Sequence, residues 1–108
     1  YYSLNPSDTH MAIRFLGKYI DQALELSLDE SIMAYYGAEI RNELTQAYPY
    51  LEKIAVDANA DVRDRVVAYT YMIRINNLVE QKDLNQGLLA KILEIDPGNT
   101  DVLNFVQP

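Results

Sequence analysis

Residues 88–103 constrain the chain more than any other stretch, because they encode a helix, its stop and the start of the next helix. Leu88, Leu89, Ile92, Leu93 and Ile95 recur at the three-to-four-residue spacing of a helical apolar face. Pro97 and Gly98 forbid continuation, and Asn99 or Thr100 is placed to cap the next helix. This is a joint between packed helices. A second joint lies at residues 4–9, where Pro6 and Thr9 match Pro97 and Thr100, and a third at residues 56–62, where Ala58 stands for the proline. From Pro6 to Ala58 is 52 residues and from Ala58 to Pro97 is 39, an uneven period in the range of helical solenoid units.

Composition narrows the class. The chain has 108 residues, a length that suits one domain or part of a longer array. Apolar residues reach 49% with only four glycines and four prolines, which favours regular structure over disorder. Sixteen acidic against nine basic residues give a net charge of −7, which disfavours nucleic acid and anionic membrane surfaces as partners. No apolar run approaches the ~18–20 residues of a membrane span, so the chain reads as soluble, with its compartment left open. It starts at Tyr1 without Met, which suggests a processed chain or an excised domain.

Periodicity predicts a helix over 8–28, capped by Asp8 or Thr9, with Ala12, Phe15, Leu16, Tyr19, Ile20, Ala23 and Leu24 on one face. A second helix starts at Asp29 and Glu30, where carboxylates favour the positive end of the helix dipole. Its apolar register runs unbroken from Ile32 to Ala58, yet Pro49 would clash with the carbonyl of Thr45 inside a helix, at about 3 kcal/mol. A break near Thr45 and Gln46 is therefore expected, with one kinked helix as the alternative. Two apolar faces over 61–80 predict a helix buried on both sides. A short turn at 81–83 leads to a returning helix over 84–95, and a last element over 100–106 forms a stub. The count is about five helices plus the stub.

With these joints and helices the chain resembles the tetratricopeptide repeat family, whose unit of about 34 residues is two antiparallel helices. Leu16-Gly17 with Ile20, and Tyr36-Gly37, look like cores of first helices, residues 47–54 are similar to a second helix, and Leu89 followed by Pro97 has the closing spacing. Asn85 replaces a small Ala, Ile73 sits where Gly or Ala belongs, and no Trp occurs. The resemblance implies an all-α, right-handed stack of antiparallel helical hairpins. Its first helices would line a concave groove, carrying Arg14 and Lys18, then Arg41 and Asn42, then Thr70, Arg74 and Asn77. Four of these seven are cations on an acidic chain. The Lys and Asn set with which some members grip a C-terminal carboxylate is not reproduced.

The chemistry-bearing residues are sparse. His10 is the only histidine and there is no cysteine, so a zinc site, a His-based triad or a thiol nucleophile has no constellation, and His10 reads as an exposed residue after a joint. Asp57, Asn59 and Asp61 begin like a calcium loop, but Val62 and Ala68 occupy its glycine and glutamate places. Glu39 and Glu43 lie one turn apart and read as a solvated face. Of the nine tyrosines, Tyr19, Tyr36 and Tyr69 are expected to fill gaps between helices, while Tyr35, Tyr48, Tyr50 and Tyr71 are candidates for a binding face. The expectation is a non-catalytic module with no cofactor and no metal, binding a protein or peptide partner in its groove. The alternative is a structural module that packs or self-associates through uncapped ends, Tyr1, Tyr2 and Leu4 on one side and Val102, Leu103 and Phe105 on the other.

Overall fold

The computed structural model of the chain describes residues 6–99, with side chains from His10 onward. Among these residues every regular element is helical: α1 (Pro6–Leu26), α2 (Glu30–Ala55), α3 (Val62–Leu78), a 3-10 turn (Lys82–Leu84) and α4 (Asn85–Ile95). Four α-helices stand where five were expected. None of the described helices is long and apolar enough to cross a membrane. The 100–106 stub, Tyr1, Tyr2, Leu4, Val102, Leu103 and Phe105 lie outside the described residues.

The difference in number comes from Pro49, which lies inside α2 rather than at a helix start. Leu44 and Ala47 before it, and Leu51, Ile54 and Ala55 after it, are all buried on one continuous face. Burying a residue such as Leu51 or Ile54 is worth about 1.5–3 kcal/mol, so the face as a whole outweighs the roughly 3 kcal/mol that an internal proline costs. Pro49 itself is on the exposed side, where the Thr45 carbonyl that it leaves without an N–H donor can meet water.

The joints are built from short polar side chains. Helix α1 begins at Pro6, a proline in a first turn that needs no N–H, so Asp8 and Thr9 lie within the helix rather than at its cap. Asp29 caps α2, its carboxylate accepting from the backbone N–H of Ser31 (2.9 Å) and Ile32 (3.2 Å). Asp61 caps α3 by accepting from Arg63 N–H at 2.8 Å, and Asp57 accepts from Asn59 N–H at 2.9 Å. Both carboxylates of the calcium-like segment are thus engaged in turning the backbone. Arg65 reaches back with Nε 2.8 Å from the Ala55 carbonyl, satisfying the end of α2. Helix α3 closes on Glu80 at φ 61°, with Gln81 N–H donating to the Asn76 carbonyl at 2.8 Å. That is the six-to-one bond of a Schellman turn with glutamate where glycine is usual.

Helix α3 is the centre of the packing, against α2 most extensively and against α1 and α4 on its other sides. Its Ala68, Tyr69, Met72, Ile73 and Ile75 are all buried, as the two apolar faces require. Ile20, Leu44, Leu51 and Ile92 complete the interior from the other three helices.

Three contacts fix how α1 and α3 lie. His10 meets Asp64, Gly17 lies under the Tyr71 ring, and Asp21 meets both Tyr71 and Arg74. Each pair is separated by 50 to 54 residues in sequence, so the two helices run parallel, offset by one helical hairpin.

Candidate functional site

The parallel arrangement creates a cleft along α1 and α3. On α1 the helical period puts Arg14, Lys18, Asp21 and Glu25 on the side turned to this cleft, since Gly17 and Asp21 touch α3. On α3 the corresponding edge carries Arg63, Val67, Thr70, Arg74 and Asn77, three to four residues apart. At its C-terminal end the cleft opens into a concavity of about 440 Å³, with apolar walls from Leu24, Leu28 and Leu78 and polar groups from Asp21, Glu25, Arg74 and Asn77. Leu28 stands 83% exposed at its rim.

The polar centre of that end is a tethered set. Tyr71 donates its hydroxyl to Asp21 at 2.9 Å, Arg74 places Nη1 3.6 Å from the other Asp21 oxygen, and the Arg74 guanidinium lies 5.7 Å from the Tyr71 ring centre. Burial first, then the bond to Asp21 and its charge, push the Tyr71 hydroxyl up to about 12, against a smaller opposing effect of Arg74. Tyr71 therefore acts as a proton donor that holds Asp21 in place. Gly17 makes room for it, because a Cβ there would lie 3.1 Å from the Tyr71 oxygen.

Two further polar clusters secure the frame. His10 lies with Nδ1 3.0 and 3.2 Å from the two oxygens of Asp64, whose side chain is only 6% exposed. His10 is exposed, as expected, but it belongs to α1 and has a partner. On the opposite side of α3, Asn76 donates from Nδ2 to Asn85 (3.1 Å) and to the Tyr48 hydroxyl (3.3 Å), and Asn85 donates to Asn77 Oδ1 (2.8 Å). Asn85 is buried with its amide engaged by α3. No buried side-chain nitrogen or oxygen among the described residues lacks a hydrogen-bond partner.

No family model, curated protein or solved structure matches this chain.

Of the seven predicted groove residues, Arg74 and Asn77 line the concavity, while the helical period puts Arg14 and Lys18 of α1 and Thr70 of α3 on the edges that lead to it. The Thr70 hydroxyl is turned back to the Val66 carbonyl at 2.8 Å, which makes it part of the helix surface rather than a waiting donor. Arg41 and Asn42 lie on the exposed side of α2, the second helix of the first hairpin, and Arg41 lies back along its own helix beside Gly37. Tyr36-Gly37 lies on the same helix, α2.

The tyrosines divide differently from expectation. Tyr69 is buried, whereas Tyr36 is 56% exposed and fills no gap. Tyr19 is also exposed over 42% of its surface, its hydroxyl held above the ordinary value by partial burial and then by the neighbouring Glu43 carboxylate. Tyr35 and Tyr50 are exposed, while Tyr48 and Tyr71 are structural hydrogen-bond partners. Sequence reasoning passed over Asp21 and Glu25, although the 14, 18, 21, 25 spacing announces a shared face. It also passed over Asp64, whose signal was only a carboxylate in a first turn.

Proposed function

We propose that the protein is a non-catalytic interaction module, a two-hairpin unit of the tetratricopeptide kind stacked in the right-handed sense, and that it binds a segment of a protein partner in the α1–α3 cleft. The observation that carries this reading is the parallel, registered pair of first helices with side chains of both around one concavity. Apolar walls with a few fixed polar groups suit recognition of a peptide. The tethering of Asp21 by Tyr71 and Arg74 adds preorganisation, which lowers the entropy lost on binding.

A photocrosslinking amino acid placed at Leu28, and separately at Glu52 on the exposed side of α2, tests it in a lysate of the cells that make the protein. Partner crosslinks from position 28 and not from position 52 support the cleft. The reverse pattern refutes it.

A second reading has its own observation. Met11, Phe15, Tyr19 and Leu26 form an exposed apolar stripe along α1, at 42–67% exposure. A structural module would cover such a stripe by packing it against another hairpin, as stacked repeats do. A mass in sedimentation equilibrium that rises with concentration, and falls back on Phe15→Glu, favours this reading.

A further inference from the structure

The cleft is not uniform in charge. Arg14 and Lys18 occupy the N-terminal half of its α1 wall, and Arg63 sits at the matching end of α3, one residue before the Asp64 that His10 grips. All three cations are exposed, and none forms an ion pair within the described residues. In the C-terminal half the exposed wall carries Asp21 and Glu25, and the one cation there among the described residues, Arg74, is held against Asp21. Glu25 also borders a neighbouring hollow of about 470 Å³ that includes Gln22 and Asp29. One end therefore presents three positive charges, and the other presents a net negative charge beside the exposed Leu28.

A ligand with one sign of charge would be attracted at one end and repelled at the other, and like charges brought together across an interface are strongly unfavourable. Resting on the cleft as the binding surface, we propose that it selects a segment of mixed sign: acidic side chains over Arg14, Lys18 and Arg63, a basic side chain over Glu25, and an apolar residue between them entering the concavity beside Leu24. The spacing follows from geometry. Arg14 and Glu25 are separated on α1 by about 16 Å at 1.5 Å per residue, which an extended peptide at roughly 3.3 Å per residue covers in about five residues. The tethered Asp21 and Arg74 neutralise each other midway, where the apolar residue passes. The order of charges in the partner, rather than its net charge, sets the register in which it docks.

The test uses the whole chain and labelled peptides of about eight residues that share a central Leu pair. One carries acidic residues before and basic residues after the pair, one the opposite order, and two controls are entirely acidic or entirely basic. Fluorescence anisotropy at low salt should show one mixed peptide binding at least about five-fold more tightly than either control, with the advantage shrinking as salt is added. Glu25→Lys should shift the preference toward the acidic peptide, and Arg14→Glu with Lys18→Glu toward the basic one, each variant keeping its helical circular dichroism. A single-sign control that binds best, or a ranking that these swaps leave unchanged, overturns the inference. If all peptides bind alike and Leu28→Asp weakens them all, the charge order fails while the cleft stands as a binding surface. If no peptide binds, the inference fails, and crosslinking from position 28 decides the cleft independently.

Discussion

The Nδ1 nitrogen of His10 stands 3.0 Å from the carboxylate of Asp64, fifty-four residues away in sequence, and so ties the start of α1 to the start of α3. The two partners are unequal in setting. Asp64 is buried at the N-terminal turn of α3, where the helix dipole favours a carboxylate, and the His10 side chain is 55% exposed. The imidazole is thus the outer cover of an inner acid.

Removing that cover should leave Asp64 with an unmet hydrogen bond. His10→Ala is expected to destabilise the fold by about 1–3 kcal/mol in urea denaturation. Adding Asp64→Asn should recover part of the loss, because no buried charge then remains. A loss under about 0.5 kcal/mol for His10→Ala would mean that water replaces the imidazole without penalty.

Tyr71 predicts a loss of stability in alkali. Its hydroxyl is raised from 10.0 to about 12 in the folded chain, so the folded state keeps that proton longer than the unfolded chain does. The contribution is fully present below about pH 10 and is lost as pH rises toward 12. Tyr71→Phe should flatten this part of the stability profile, narrowing the gap to wild type across the same window. Unchanged profiles in paired denaturation series would separate Tyr71 from the alkaline transition.

Continuity of α2 through Pro49 has a direct consequence. Pro49→Ala would restore an N–H donor for the Thr45 carbonyl and relieve the ring clash, and should stabilise the protein by about 1–3 kcal/mol, less roughly 0.5–1 kcal/mol for the freer unfolded chain. Were Pro49 instead at a helix start, alanine would be neutral or harmful. The sign of the change in denaturation midpoint decides between them.

Glu80 closes α3 in the left-handed region at φ 61°, where a side chain is crowded against its own backbone. Glu80→Gly should therefore stabilise by about 0.5–1 kcal/mol despite glycine's greater freedom when unfolded. A destabilised variant would show that the glutamate side chain makes up for the strain.

How much of this was legible in the sequence varies by element. The apolar period of residues 12–24 and the double-faced pattern of 61–80 marked α1 and α3 within a turn, because helical spacing is a local signal, although Phe15 and Tyr19 of the expected α1 face stand exposed. The start of α2 at Asp29 and Glu30 and the turn before α4 were readable for the same local reason, whereas the capping role of Asp29 was seen only in the structure. The end of α3 was not, since its Schellman turn lacks the glycine that announces one. Pro49 misled because the local penalty is visible in sequence, while the burial of Leu51 and Ile54 that outweighs it exists only against α3.

The sequence by itself determined that this chain is helical and that helices end near residues 28, 58 and 95, because these depend on interactions within a few residues. Tertiary structure alone decided that α1 and α3 run parallel and in register. Through that register it brought His10 to Asp64, Gly17 under Tyr71, and Asp21 to Arg74. It also left Arg41 and Asn42 on a different helix from the cleft. Contacts across some fifty residues depend on how whole helices pack, and no local spacing encodes them.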